Sequence, residues 1–239
     1  MSQLKENLQV LEERIAAACR AASRRREDVA LMAVSKTYPA GTMLEAVELG
    51  LHLFGENRVQ EFAEKSPALG VKRNAAECHL IGHLQSNKAA RAVELFDGID
   101  SLDSLRLAER LNEAAGKLGK RLPVLLEVKL SREESKAGLD PHSAEAAQLL
   151  ERLPDLNHLQ ARGLMTIAPL GVSEDETRAC FRQLRALRDQ WAQQHARLDL
   201  AELSMGMSGD FALAIQEGAT RIRVGSALFG ARAYLEKTA

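Results

Sequence analysis

The sequence predicts an α/β protein that folds as a single (β/α)8 barrel with an extra N-terminal helix. Eight short apolar runs of strand-like composition alternate with stretches of helical periodicity. This alternation favours parallel strands joined by helical crossovers. Eight repeats in 239 residues fit a closed TIM barrel better than the alternative, a doubly wound open sheet. No linker or low-complexity tract divides the chain, so we predict one domain over residues 1–239.

The individual elements follow from apolar spacing. Apolar residues at helical intervals from Leu4 to Ala22 predict an amphipathic leading helix. Strands are predicted at residues 29–35, 52–55, 78–82, 98–101, 123–129, 160–167, 202–204 and 222–224. Helices are predicted at residues 41–49, 59–65, 88–94, 103–118, 143–153, 174–194 and 210–217. Functional residues of such barrels lie at the C-terminal ends of the strands, so the residues after each strand are the candidates.

Composition excludes several classes of function. The formal net charge is −1, whereas nucleic-acid binding needs a strongly basic surface, so we predict no nucleic-acid partner. The cysteines are odd in number and widely spaced, which argues against a disulfide framework or a zinc site and fits a reducing compartment. The sequence has no apolar run of membrane-spanning length and no apolar signal core. We therefore predict a cytoplasmic protein without a membrane partner.

Lys36 follows the first predicted strand, in the segment 34–39 (VSKTYP). A lysine walled by apolar side chains loses its proton more readily and can form an imine with a carbonyl compound. By position alone, however, Lys36 fits a lysine that leaves the strand for solvent better than a functional one. Which of the two interpretations of Lys36 is right depends on the residues that surround it.

Two segments rich in glycine and serine follow the last two strands, at residues 204–210 (SMGMSGD) and 223–230 (RVGSALFG). Backbone N–H groups and hydroxyls in such loops bind phosphate, and the loops after strands seven and eight are the recurrent phosphate site of these barrels. Asp210 is placed to cap the helix that follows. A phosphate site facing a strand-end lysine favours a phosphorylated carbonyl compound, either pyridoxal 5′-phosphate (PLP) or a sugar phosphate.

Six segments together are far more specific than any one alone: 34–37 (VSKT), 55–61 (GENRVQE), 79–88 (HLIGHLQSNK), 163–169 (GLMTIAP), 203–210 (LSMGMSGD) and 223–230 (RVGSALFG). They resemble the YggS/PROSC family of PLP homeostasis proteins, in the family's order and over nearly the whole chain. The resemblance implies the PLP fold-type III barrel shared with the N-terminal domain of alanine racemase. It also implies that PLP is held as a Schiff base on Lys36.

The resemblance further implies roles for residues of the last two loops. It assigns the phosphate to Ser208, Gly209, Gly225 and Ser226, in agreement with the loop chemistry. It places Arg223 against the pyridine nitrogen of PLP. Since an arginine does not readily give up its proton, Arg223 would keep that nitrogen unprotonated and make the ring a poorer electron sink.

Other residues after strand ends have less specific interpretations. Asn57 contacts or positions the cofactor, with a helix N-cap as the equal alternative. For His83, a hydrogen-bonded structural role is favoured over a general base. Lys129 stands where the family often has asparagine, and we favour solvent exposure or an ion pair with Glu127 over a PLP role. Lys136 is interpreted as a surface lysine.

The resemblance implies a PLP-binding homeostasis protein without robust catalysis of its own. Only residues 226–239 follow Gly225, too few for the additional β-domain of PLP-dependent racemases and decarboxylases of this fold type. We therefore expect a monomer, with apo PLP-dependent enzymes as partners. The alternatives are a PLP-dependent enzyme, such as an amino-acid racemase working with a partner, and a Schiff-base aldolase acting on a sugar phosphate.

Overall fold

Eight parallel strands form a closed barrel in chain order in the computed structural model, with the last strand paired to the first. The structure describes residues 2–130 and 137–230. The strands are β1 (Ala30–Val34), β2 (Leu53–Glu56), β3 (Glu77–Leu80), β4 (Gly98–Leu102), β5 (Leu122–Glu127), β6 (Leu159–Met165), β7 (Glu202–Ser204) and β8 (Arg221–Val224). The predicted (β/α)8 barrel is confirmed, and the open sheet is excluded because β1 and β8 pair directly.

Helices surround the barrel. They are α1 (Gln3–Ala21), α2 (Ala40–Glu48), α3 (Val59–Lys65), α4 (Ala89–Leu95), α5 (Leu105–Lys117), α6 (Ala144–Arg152), α7 (Glu174–Gln194), α8 (Phe211–Gln216) and α9 (Ser226–Phe229). Short 3-10 segments occur at Arg26–Asp28, Ser66–Ala75, Ser86–Lys88 and Leu153–Asp155. The predicted leading helix is α1, which packs against α8 and α9. The four-residue helix α9 follows β8 where the sequence predicted only a loop.

Local sequence explains why the helix α7 matches its prediction. Ser173 accepts a hydrogen bond from the backbone N–H of Glu176, whose carboxylate in turn accepts from the N–H of Ser173. This capping box satisfies free donors of the first turn. The buried face includes Phe181, Leu184 and Trp191, which recur at helical spacing. The cap and the apolar stripe both act within the element, so both are visible in the sequence.

Four predicted strands extend too far at their C-terminal ends. The strands β1, β3, β5 and β6 end at Val34, Leu80, Glu127 and Met165, whereas the sequence predicted ends at residues 35, 82, 129 and 167. Apolar residues continue beyond the last backbone hydrogen bonds of the sheet because the chain is still buried there. Val128, for example, is 1% exposed and makes an isolated parallel bridge with Leu139.

A buried ionic cluster lies near the N-terminal ends of the strands, opposite the mouth of the barrel. His79 Nδ1 lies 2.7 Å from Asp100 Oδ1, and Arg221 Nη1 donates to Asp100 Oδ2 over 2.9 Å. Burial alone lowers the pKa of His79, but Asp100 and Glu77 together raise it to about 9. Polar groups at this end of such a barrel serve stability.

The other predictions from composition concern absences. No helix in the described residues is long and apolar enough to cross a membrane. Within residues 2–130 and 137–230, Cys19, Cys78 and Cys180 are buried and form no disulfide. Over the same ranges, no three histidine, cysteine or acidic side chains converge as a metal site would require.

Candidate functional site at the C-terminal end of the barrel

A cavity of about 240 Å³ opens at the C-terminal ends of the strands. Its lining contains all seven residues that the sequence singled out, namely Lys36, Asn57, Ser208, Gly209, Arg223, Gly225 and Ser226. The rest of the described lining is Val34, Ile81, Ile167 and Met207. Apolar walls with a few convergent polar groups are typical of sites for small molecules. Residues distant in sequence therefore meet at one place.

Lys36 lies in a turn two residues beyond β1. The next residue, Thr37, has a φ of +68°, a left-handed conformation that non-glycine residues adopt at a cost of roughly 1–2 kcal/mol. The carboxylate of Glu61, on α3, accepts a hydrogen bond from the backbone N–H of Thr37. This contact holds the turn in its strained conformation, as is common at functional sites.

A buried cluster supports Lys36 from the other side. The Ser35 hydroxyl donates to Glu56 Oε1 over 2.7 Å, and Lys65 Nζ donates to the Ser35 carbonyl over 2.8 Å and to Glu56 Oε1 over 2.6 Å. Burial raises the pKa of Glu56, while the Lys65 ammonium and the Ser35 hydroxyl oppose the rise. This cluster was not predicted from the sequence. The available signal was Lys65 on the buried face of α3, in line with Val59 and Phe62.

Tyr38 connects the turn after β1 to the helix after β8. Its hydroxyl donates to the carbonyl oxygen of Gly230 over 2.8 Å. Its ring lies 4.9 Å from the ring of Phe229, measured between centroids. The Lys36 turn is thus tied to the end of α9, and α9 begins with Ser226 of the candidate phosphate loop.

The loops after β7 and β8 touch each other. The backbone N–H of Ala227 donates to the Ser208 hydroxyl over 3.3 Å. A Cβ atom built on Gly209 would meet no atom within 4 Å, so the space beside its backbone is open. Two serine hydroxyls and accessible backbone around these glycines form a donor set suited to a phosphate. The chemistry of the residues present therefore fits a phosphorylated ligand.

The predicted helix cap by Asp210 is wrong. Asp210 occupies the N-cap position of α8 but makes no side-chain cap hydrogen bond to it. Its carboxylate instead accepts from the backbone N–H of Met207 over 2.5 Å. The side chain thus closes the loop ahead of the helix. Gly206 permits this compact loop, since its φ is +93° and a Cβ there would lie 2.5 Å from the Ala214 Cβ.

Arg223 is held rigidly behind the cavity. Its side chain donates to the Ser204 carbonyl over 2.7 Å, to the Ser204 hydroxyl over 2.9 Å and to the Thr166 carbonyl over 2.8 Å. Burial lowers the pKa of Arg223, and Asp100 and Glu127 oppose the shift. A guanidinium nevertheless keeps its proton in proteins, so the cavity receives a fixed positive charge.

Asn57 follows β2 and lines the cavity, but it does not cap α3. The N-cap position of that helix belongs to Arg58, so the alternative of a helix cap is wrong for Asn57. Gly82, after β3, passes so close that a Cβ on it would lie 2.3 Å from the Asn57 carbonyl oxygen. Glycine at 82 therefore lets two loops of the mouth pack together.

The three remaining candidates differ in outcome. His83 Nδ1 lies 3.0 Å from Asp103 Oδ2, which confirms a hydrogen-bonded histidine, although its side chain is 55% exposed. Lys129 is half-buried, and the charged groups that act on Glu127 among the described residues are Asp103, Arg223 and His83, not Lys129. The pair with Glu127 is therefore not formed, whereas the preference for solvent exposure or an ion pair over a PLP role stays a prediction. Lys136 lies outside the described residues.

Comparison with known proteins shows which sequences this chain is similar to. A sequence model described as "Alanine racemase, N-terminal domain" matches residues 3–233. The pyridoxal phosphate homeostasis protein of Pasteurella multocida (strain Pm70) is 40% identical over 232 residues, covering 97% of this chain and 98% of the relative. The protein of the same name from Escherichia coli (strain K12) is 39% identical over 242 residues, covering 99% and 100%.

Solved structures similar to this chain belong to the same fold. PipY of Synechococcus elongatus PCC7942, determined with PLP bound, is 46% identical with a TM-score of 0.85, covering 95% of this chain and 100% of that chain. Alanine racemase of Clostridium difficile 630 is 18% identical with a TM-score of 0.76, covering 97% of this chain and 57% of that chain. The second similarity shows the fold alone.

Fold and cavity define a (β/α)8 barrel of the alanine racemase N-terminal type. Within that class, identity near 40% over almost the full length decides the family. The chain belongs to the family of pyridoxal phosphate homeostasis proteins. The resemblance carried by the six sequence segments is thereby confirmed.

Proposed function

We propose that this chain, as a single domain over residues 1–239, binds PLP as a Schiff base on Lys36 and takes part in intracellular PLP (vitamin B6) homeostasis. The observation that carries the proposal is the convergence of the seven predicted residues on one cavity. When bound, PLP supplies a reactive aldehyde carbon and an electron-accepting ring. PipY, a relative with 46% identity, was solved with PLP bound, which supports the same ligand here.

Different residues of the cavity are assigned to different parts of the ligand. Lys36 supplies the amine, while Ser208 and Ser226 donate hydroxyls to the phosphate together with backbone groups beside Gly209 and Gly225. Arg223 supplies a fixed positive charge against the ring nitrogen, so that this nitrogen stays unprotonated. Asn57 and Ile167 cover the remaining walls. Each group binds or orients the ligand, and none is assigned a proton transfer.

We infer that the protein has no robust catalysis of its own. Among the described residues that line the cavity, the ionisable side chains are Lys36 and Arg223, without a carboxylate, an imidazole or a phenol. General acid–base catalysis needs such a group within hydrogen-bond reach of the reacting proton. A storage and transfer role fits this lining better than a racemase does. We expect the protein in the cytoplasm as a monomer, with apo PLP-dependent enzymes as recipients.

Spectroscopy tests the attachment site. PLP added to the purified protein should give the absorption band of a protein-bound imine, and Lys36→Ala should abolish it. Lys129→Ala is the matched control, because it removes an amine from the segment after β5 and should leave the band intact. A band that persists in Lys36→Ala overturns the assignment.

Affinity tests the phosphate loops. Ser208→Ala and Ser226→Ala should each weaken PLP binding about tenfold, since hydrogen bonds to charged groups contribute roughly 1.5–3 kcal/mol. Pyridoxal, which lacks the phosphate, should bind equally to the wild type and to both variants. An equal loss for pyridoxal would contradict a phosphate role for these hydroxyls.

An isotope experiment separates carrier from enzyme. The PLP-loaded protein should fail to exchange the α-proton of amino acids with deuterated water at a useful rate, yet should restore activity to an apo PLP-dependent enzyme. Rapid exchange on any amino acid would favour the racemase alternative.

A further inference from the structure

The helices α4 and α5 pack against each other on the outside of the barrel and leave a groove between them. This groove contains a cavity of about 370 Å³, a volume in the usual range of small-molecule sites. Among the described residues, the lining of this cavity and the lining of the Lys36 cavity have no member in common. The proposed function therefore leaves the cavity between α4 and α5 without a role.

One face of α5 supplies the charged side chains in the described lining of this cavity. These side chains recur at intervals of three or four positions, and they are Arg106, Arg110, Glu113 and Lys117. Lys117 Nζ donates to Glu113 Oε1 over 2.7 Å, and Arg110 Nη1 lies 3.5 Å from Glu113 Oε2. Three cations thus share one carboxylate, which leaves two positive charges in excess, although the whole chain carries a net charge of −1.

Polar side chains with no partner converge at the end of the cavity where α5 begins. Ser86 and Asn87 lie in the 3-10 segment before α4, and Arg106 lies in the first turn of α5. In the part of the chain that the structure describes, these three side chains make no hydrogen bond or ion pair. They also line an adjoining cavity of about 460 Å³, so a ligand can approach them from two sides. Ser86 and Asn87 belong to the segment 79–88 (HLIGHLQSNK), whose end the proposed function does not use.

The groups in this cavity match a phosphate. A hydroxyl and a carboxamide donate hydrogen bonds to its oxygens, and an arginine fork binds it through two parallel hydrogen bonds. A phosphate monoester carries a charge of about −1.5 to −2 at pH 7, which the two excess positive charges balance. The rest of the described lining consists of Ala89, Ala90 and Ala114, which offer a short apolar surface to the body of the ligand. This described lining contains no aromatic ring, so a nucleotide base would have no side chain to stack on.

We propose that the cavity between α4 and α5 binds a small phosphate monoester, whose phosphate accepts hydrogen bonds from Arg106, Ser86 and Asn87. Arg110 supplies the second positive charge. Its separation of 3.5 Å from Glu113 is long for a hydrogen bond and the pair is exposed, so its guanidinium turns toward a phosphate at little cost. The positive end of the α5 dipole adds to the attraction. The site is separate from Lys36 and does not require bound PLP.

NMR spectra of the isotope-labelled full chain test where a phosphate binds. Titration with inorganic phosphate or with glycerol 3-phosphate should shift the backbone amide signals of Ser86, Asn87 and Arg106. Acetate at the same ionic strength should not shift them, because it carries a single charge and fewer acceptor oxygens. The amide signals of Gly209 and Gly225 report the loops of the proposed PLP site, so the two sites are observed separately in one titration.

Two substitutions on α5 should change the affinity for inorganic phosphate in opposite directions. Arg106→Gln removes an exposed cation and should weaken binding about fivefold without an effect on folding. Glu113→Gln removes the competing carboxylate and should strengthen binding about threefold, because Arg110 and Lys117 lose their partner. Arg121→Gln is the matched control, since it removes an exposed arginine outside the described lining, and it should leave the affinity unchanged.

Four outcomes overturn the proposal: no shift of the three amide signals with phosphate, equal affinity in Arg106→Gln, weaker binding in Glu113→Gln, or acetate binding as tight as phosphate binding. Added potassium chloride should weaken binding because salt screens exposed charges, and an affinity that does not change with salt also overturns it. Lys36→Ala should lose the imine band yet keep phosphate binding between α4 and α5. Failure of this site and failure of the proposed function are therefore distinguished.

Discussion

Lys65→Met tests whether the buried cluster beneath the Lys36 turn stabilises the protein and its site. Lys65 Nζ lies 2.6 Å from Glu56 Oε1 and 2.8 Å from the Ser35 carbonyl, and its side chain is 6% exposed. Methionine keeps an unbranched apolar side chain and removes the ammonium. Removal of one partner from a buried ion pair costs about 3–5 kcal/mol. We expect a loss of about 3 kcal/mol at pH 8, because Glu56 can relieve part of the penalty by protonation.

The loss should depend on pH in a definite direction. Burial already raises the pKa of Glu56, and Lys65 opposes that rise. Without Lys65, the folded-state pKa moves further above the unfolded value of about 4.3. The folded variant then binds a proton more tightly than the unfolded chain, so stability is retained at low pH and falls as the pH rises. The deficit of the variant relative to the wild type should therefore be smaller at pH 5 than at pH 8.

Urea unfolding at both pH values measures the effect, with the fluorescence of Trp191 as the signal, since it is the only tryptophan and is 4% exposed. The double variant Glu56→Gln/Lys65→Met should recover most of the loss, because a neutral amide needs no counterion. PLP affinity should also fall in Lys65→Met, because the Ser35 carbonyl next to Lys36 loses its donor. Lys117→Met, at an exposed helical ion pair, should change stability by less than about 1 kcal/mol. A loss below about 1 kcal/mol at pH 8, or an equal loss at both pH values, would refute the reasoning.

Three further predictions concern other parts of the barrel. Burial lowers the pKa of His79, but the carboxylate of Asp100 has the larger effect, and the pKa is raised to about 9. The charged form of His79 therefore stabilises the fold, and this stabilisation is complete below the unfolded pKa of about 6.5. Urea unfolding should show that on the order of 3 kcal/mol is lost as the pH rises from about 6.5 through 9, and that His79→Gln removes this dependence. Tyr38→Phe keeps the ring and removes the hydroxyl donor to Gly230, so the free energy of unfolding should fall by about 1 kcal/mol. An unchanged free energy of unfolding would show that this hydrogen bond does not stabilise the protein. Burial raises the pKa of Cys78 to about 12, so a thiol reagent should not label it at pH 8 in the folded protein but should do so in urea.

The site was partly accessible from sequence and partly not. Lys36 and the two phosphate loops could be found because their positions after strands of a barrel carry a meaning that spacing reveals. The cap assigned to Asp210 failed because the same carboxylate reaches the Met207 N–H in the preceding loop. The pairing of Lys129 with Glu127, one of the two options for that lysine, is not formed because proximity in sequence does not fix where two side chains point. Both failures concern side-chain direction, which local spacing leaves open.

The sequence by itself determined the barrel, the leading helix, the bounds of α3 and α7, and the loops that carry the candidate cofactor residues. These features depend on periodicity, caps and order along the chain, which act within single elements. Only the tertiary structure decided that Lys65 pairs with Glu56 under Ser35, and that Glu127 is buried at the end of β5. The physical reason is that a buried charge is stabilised by groups on other elements. Ser35 meets Lys65 across 30 positions of sequence, and that meeting exists only once the barrel has closed.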